Sequence, residues 1–96
     1  MKTRHAFGKS LKDLRKSKKV TQEDFSIVSS RTYVSTLERG QKSPTLDKVD
    51  ELAKVLKIHP LSLLSLTYLY VAGNRDLDAL LQRVRSDLDR LGRLSR

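Results

Sequence analysis

Ninety-six residues without a single cysteine suit one compact domain, or a small domain plus one further element, and exclude disulfides and thiolate chemistry. The formal net charge of +9 is uneven: residues 1–20 carry eight Lys/Arg against one Asp, residues 21–74 carry six of each sign, and residues 75–96 carry six Arg against four Asp. Such a one-sided excess on a small domain points to a polyanionic partner, nucleic acid first, against the plainer reading of a solvated helix face.

Strand-like alternation is absent and helical periodicity runs throughout. Phe7, Leu11 and Leu14 fall at i, i+4 and i+7, which predicts a first helix over about residues 4–18 with a basic outer face. The opening MKTRHAFGKSLKDLRKSKK holds no continuous apolar stretch of the kind a secretory signal carries. After Lys18-Lys19-Val20, Thr21 opens a second helix, with Asp24 placed to complete a capping box and Phe25 and Val28 turned inward. Ser29 or Ser30 caps a third helix that runs to about Arg39, buries a stripe at Val34 and Leu37, and ends at Gly40, a position suited to a left-handed residue.

GQKSP is a polar loop, and Thr45 caps a fourth helix with Leu46, Val49, Leu52, Ala53 and Leu56 on its inner stripe. His59 precedes Pro60, which suits the first turn of a fifth helix over about 60–71. That helix is apolar nearly all round, so it is either buried or part of an interface. The run from Leu61 to Gly73 falls short of the roughly 20 residues a bilayer crossing needs. The expectation is a cytoplasmic protein with no membrane contact. The last segment carries Leu77, Leu81, Val84, Leu88 and Leu91, spaced as the a/d seam of a helix from about Asp76 to Leu91. This seam either packs back on the core or joins two copies. The domain reading is therefore 1–72 for the main unit and 73–96 for a C-terminal dimerisation element.

Nothing here resembles a catalytic or metal centre. There is no glycine-rich phosphate loop and no nucleophile–base set, and Asp47 and Asp50 fit helix-start and outer-face charges. His5 and His59 stand far apart with no ligand spacing around them, so they are ordinary surface or capping residues. The expectation is an all-α, non-enzymatic chain with no cofactor and no metal.

The order TQED, RTYVS, ERG, SPT and LAKVL, at nearly the right spacing, resembles the lambda-repressor/Cro-like helix-turn-helix family, its small controller and phage-type repressor members above all. The resemblance covers about residues 7–64. It implies a five-helix DNA-binding domain, here followed by an amphipathic C-terminal helix. Physical logic points the same way: a recognition helix buries one stripe and offers its N-terminal residues to base edges in the major groove. Ser30, Arg31, Thr32, Ser35 and Thr36 lie on the outward face or the N-terminal end. Arginine reads guanine bidentately, and Ser and Thr serve phosphates, bases or the thymine methyl. An N-terminal Arg31 also works against the helix dipole, which a phosphate or base would explain.

The resemblance further implies that Gln22 meets the DNA backbone or a base. It makes Tyr33, Arg39, Gln41, Lys42 and Ser43 candidates for phosphate contacts, although Tyr33 also suits half-buried packing and Arg39 suits the C-terminal dipole of its helix. Arg15 and Glu38 are assigned as a structural ion pair between the first and third helices. One departure stands out. Six residues, FSIVSS, separate TQED from RTYVS, two fewer than the family pattern, and the turn glycine is missing. The second helix then ends a turn early, or the turn tightens with Ser29 and Ser30 as caps, and Ile27 or Val28 supplies the missing apolar contact.

The implied function is a transcriptional regulator acting as a homodimer on double-stranded DNA, a repressor by occlusion or an activator through RNA polymerase. The alternative is an antitoxin with the same DNA-binding domain whose C-terminal helix grips a toxin. The main dimer contact is assigned to residues 60–71 or 76–91, without a choice between them.

Overall fold

Among the described residues eleven apolar side chains are withdrawn from solvent, and most lie where the periodicity puts them. The computed structural model describes residues 1–92. Five α-helices follow in order: α1 (Thr3–Ser17), α2 (Arg31–Glu38), α3 (Leu46–Leu56), α4 (Pro60–Ala72) and α5 (Leu77–Asp89). Between α1 and α2 lies one 3-10 turn, Gln22–Phe25. The expected all-α architecture is borne out. The core joins Phe7 and Leu11 of α1, Phe25 of the 3-10 turn, Val34 and Leu37 of α2, Val49, Leu52 and Leu56 of α3, and Leu63 of α4. α1 packs chiefly on α4 and also on α2, while α3 packs on α4.

The expected second helix is the main correction. Its capping box forms, with Thr21 Oγ1 accepting from the Asp24 amide at 3.2 Å and Asp24 Oδ2 accepting from the Thr21 amide at 2.8 Å. It then stops after one turn. The amides of Val28 and Ser29 both donate to the Phe25 carbonyl, and Ser30 is extended. Six residues are too few to finish an α-helical turn, reverse direction and cap a new helix, so the chain tightens instead. Phe25 is fully buried and Val28 packs against the core, whereas Ile27 is 85% exposed. Val28 therefore makes the apolar contact and Ile27 does not. Leu46 is a second correction: it is 79% exposed, because it sits at the first position of α3, outside the buried stripe that begins at Val49.

Helix ends are built by a common device. Gly40 and Gly73 sit at positive φ, and so do Lys19 and Lys57, each at φ 59°. The following residue's amide then reaches back five residues, as Val20 does to Arg15 and Ile58 to Ala53. Val20 and Ile58 pack against the core, the apolar contact that accompanies this helix ending. Burial after the turn outweighs the roughly 1–2 kcal/mol that a left-handed side chain costs.

Gly8 is set into α1 where a Cβ would meet the Glu38 carbonyl oxygen at 2.8 Å and the Leu37 carbonyl oxygen closer still. The missing side chain lets the α1 backbone rest on the end of α2. A polar clamp completes the junction. Glu38, with only 4% of its side chain exposed, accepts from Arg15 Nε at 2.6 Å, Arg15 Nη2 at 3.0 Å and Gln22 Nε2 at 3.0 Å. Arg15 Nη1 also donates to the Val20 carbonyl at 3.2 Å. Donating to the Glu38 carboxylate raises the affinity of the Arg15 guanidinium for its proton.

At the far side of α1, Tyr70 Oη donates to Asp13 Oδ2 at 2.5 Å, and Lys9 Nζ lies 2.8 Å from the same oxygen and 4.6 Å from the Tyr70 ring centre. Partial burial pushes the Asp13 carboxyl up, but the Lys9 ammonium and the Tyr70 hydroxyl pull it further down, so it ends below its ordinary value. His59 caps α4 by accepting from the Leu61 amide at 2.9 Å. α4 buries Leu63 and Thr67 and leaves Leu61 and Tyr68 half exposed. α5, capped by Asp76, buries nothing. Among the described residues no single helix is long and apolar enough to cross a membrane.

Two outcomes are expected. Arg15→Ala or Glu38→Ala leaves one charge nearly buried without its partner and lowers unfolding free energy by about 3 kcal/mol; urea denaturation reads this. Asp13→Asn should cost stability only where the wild-type carboxylate is ionised. Because folding lowers the Asp13 pKa, its contribution is complete above the unfolded value and fades as pH falls through the folded one. The deficit of Asp13→Asn should therefore shrink below about pH 4, as followed by urea midpoints against pH.

Candidate nucleic-acid interface

α2 has eight residues and a complete N-terminal cap: Ser30 Oγ accepts from the Tyr33 amide at 3.0 Å. Val34 and Leu37 are fully buried, which turns the rest of the helix outward. Arg31 and Thr32 occupy its first turn and are exposed, as is Ser30, while Ser35 and Thr36 are partly covered. The Thr36 hydroxyl donates to the Thr32 carbonyl at 2.8 Å, a local bond that occupies its proton. Among the described residues no carboxylate pairs with Arg31 and no side chain bonds it, so its five donors face solvent at the helix N-terminus.

Two shallow depressions meet at Arg31. One is lined by Gln22, Arg31, Thr32, Ser35 and Arg39, the other by Arg15, Thr21, Gln22, Glu23 and Arg31. Gln22 thus lies beside the exposed start of α2, with one N–H of its side-chain amide donated to Glu38. Its second N–H and its carbonyl oxygen remain to meet a ligand in this arrangement. Arg39 caps the other end of α2, donating to the Ser35 hydroxyl and, at 3.2 Å, to Gln41 Oε1. Arg39 therefore braces the loop after α2 as well as lining the depression.

On the opposite flank Tyr33 is half-buried, and two ammonium groups lie near its ring, Lys42 at 6.0 Å and Lys48 at 5.7 Å from the centre. Ser43 is exposed next to Lys42. The structure thus separates the ten expected residues into a central set at the start of α2 and a flanking set around Tyr33 and the 41–43 loop. Lys48 is a residue that the sequence reading missed. Its ammonium reaches the Val28 carbonyl at 2.6 Å and Glu51 at 2.9 Å, fastening the tight turn from the side of α3. A signal for it existed: a lysine three residues after the Thr45 cap opposes the helix dipole, the same anomaly that singles out Arg31. Among the described residues no three potential metal ligands come together.

A helix-turn-helix family model matches residues 11–63. The control protein C.BamHI of Bacillus amyloliquefaciens is 36% identical over 64 residues, covering 64% of this chain and 79% of that protein. The restriction-modification controller protein C.AhdI from Aeromonas hydrophila superposes with a TM-score of 0.59 at 35% identity, over 62% of this chain and 94% of that one. The clp gene regulator ClgR from Corynebacterium glutamicum superposes with a TM-score of 0.67 at 27% identity, over 95% of this chain and 90% of that one. With the capped, outward-facing α2 set on a buried stripe behind a tight turn, these likenesses identify the chain as a member of the lambda-repressor/Cro-like helix-turn-helix family of DNA-binding transcriptional regulators.

Proposed function

We propose that the chain is a sequence-specific DNA-binding regulator that acts as a homodimer on a pseudo-palindromic operator. Residues 1–72 form the DNA-binding unit and residues 73–96 the dimerisation element. The start of α2 enters the major groove, where Arg31 reads a guanine and Thr32, Ser35 and Thr36 contact neighbouring bases or thymine methyls. Ser30, Tyr33, Lys42 and Ser43 hold phosphates on one flank, and Gln22 and Arg39 border the other. Two copies related by a two-fold axis would set the half-sites about one helical turn apart. No chemistry is assigned to any residue.

The observation that carries this reading is Arg31: a solvent-facing guanidinium at the positive end of a helix, with no acidic partner among the described residues. An arginine placed against the dipole is unfavourable unless a polyanion arrives to meet it. The likeness to two controller proteins supports a small regulator that works through DNA occupancy, by occlusion or by contact with RNA polymerase. The exposed seam of α5 favours a protein contact, which we assign to a second copy. An antitoxin would use the same seam for a toxin, and a stable complex with a toxin in place of a homodimer would overturn the assignment.

Arg31→Ala should weaken binding to a selected operator by about 1–3 kcal/mol and relax preference at one base pair. Fluorescence anisotropy on operator and single-substitution duplexes reads both effects, and wild-type affinity in this variant would sink the assigned recognition helix. Operator affinity should also fall steeply with salt, with log K losing about 0.9 per phosphate contact for each tenfold rise in concentration. A flat titration between 50 and 300 mM salt, roughly the range over which such slopes are measured, would argue for a protein-binding role instead.

A further inference from the structure

The apolar surface left bare by the fold is concentrated on α5. Leu77, Leu81, Val84 and Leu88 are each about 40% exposed, and Leu91, which the expected helix included but which lies two residues past the end of α5, is 65% exposed. Leu77 and Leu81 also line an apolar cleft between α5 and α4, whose other walls include Leu61, Leu66 and Leu69. A seam of five apolar residues open to water and continuous with an apolar cleft needs a cover.

The charges beside the seam discriminate between the ways a second copy could lie on it. With Leu81 and Leu88 at a and Leu77, Val84 and Leu91 at d, the flanking e positions hold Asp78 and Arg85, and the g positions hold Leu80 and Asp87. A parallel pair sets g against e of the next heptad, which here brings Leu80 to Arg85 and Asp87 to Gly92, with no opposite charges. An antiparallel pair sets e against e. Layers of Leu77 on Leu88 and Leu81 on Val84 then repeat by symmetry and bring Asp78 beside Arg85 of the second copy, twice. Asp87 is engaged within its own helix by Arg83 at 3.3 Å and makes no unfavourable pair across the seam.

We infer that two copies of this chain join through α5 packed antiparallel on α5, with the two-fold axis between Leu81 and Val84 and reciprocal Asp78–Arg85 pairs fixing the register. This deepens the homodimer reading above and rests on it. The second copy's Leu88 lies level with Leu77, and its Leu91 lies beyond, toward the mouth of the α4–α5 cleft. The cleft and the seam are thus covered by one partner, through one self-complementary surface of the kind a two-fold requires.

The test is a charge exchange in the full-length chain, read by sedimentation equilibrium and by native mass spectrometry of mixed, mass-tagged variants. Asp78→Arg puts two arginines together across each pair, and Arg85→Asp puts two aspartates together. Each variant alone should dimerise about tenfold more weakly than wild type, the combined effect of two exposed pairs reversed in sign. Mixed, they should form the heterodimer in preference to either homodimer, since both pairs are then opposite in charge. The double variant Asp78→Arg/Arg85→Asp should recover homodimerisation. A helix merely weakened by either change would not be rescued by the other, so recovery reports pairing and not folding.

If neither single variant weakens the dimer while Leu81→Lys abolishes it, α5 is the interface and the antiparallel register is wrong. If Leu81→Lys leaves the dimer intact, α5 is not the contact and this inference falls while the homodimer reading stands. A chain that is monomeric at all concentrations, and when bound to operator DNA, overturns both.

Discussion

A single carboxylate governs how α2 is held. Glu38 closes α2 and accepts from Arg15 on α1 and Gln22 on the 3-10 turn, so three consecutive elements meet at two oxygen atoms. In water such a contact is worth little, but here the side chain is nearly excluded from solvent, where an unmatched charge is costly and a matched one is directional. Gly8 belongs to the same junction. By omitting a Cβ beside the Leu37 and Glu38 carbonyls, it lets α1 come near enough for Arg15 to reach. The orientation of α2, and with it the aim of Arg31, depends on this arrangement of one acid, one base, one amide and one absent side chain.

The fold was legible in the sequence wherever one residue type does one job at a regular interval. The stripes of α1 and α2, that of α3 from Val49 onward, the Thr45 cap and the proline at the start of α4 follow from period and cap chemistry, while the α2 cap was narrowed only to Ser29 or Ser30. The approach to α2 was harder. FSIVSS carries helix-compatible residues, yet six of them must also turn the chain, and the outcome depends on contacts from elsewhere: Phe25 in the core and Lys48 on the Val28 carbonyl. Neither is a local property, so local propensity could not rank Ile27 against Val28. Lys19 and Lys57 were invisible for another reason. A positive φ is normally announced by glycine, whereas here the apolar residue that follows forces it.

The candidate site was legible in kind but not in its connections. Position at a capped helix start singled out Arg31 and Thr32, whereas Lys42 and Ser43 entered only through the family resemblance. What the sequence could not supply was which polar groups are already spent. Gln22 is engaged by Glu38, and Arg39 holds Ser35 and Gln41. A donor bound to its own protein must give up that bond to meet DNA, so these two offer less to a ligand than their exposure suggests.

The eight-residue length of α2 has a consequence for folding. Isolated helices shorter than about 12–15 residues are marginal in water, and the preceding turn supplies too few backbone bonds to prop it up. The contacts that do so join positions 20 and 23 residues apart in sequence, and the Tyr70–Asp13 bond that ties α4 to α1 spans 57. The exposed face of α2 therefore depends on the assembled domain. Any ligand held by that face of the folded domain alone adds its binding free energy to the stability of the whole domain.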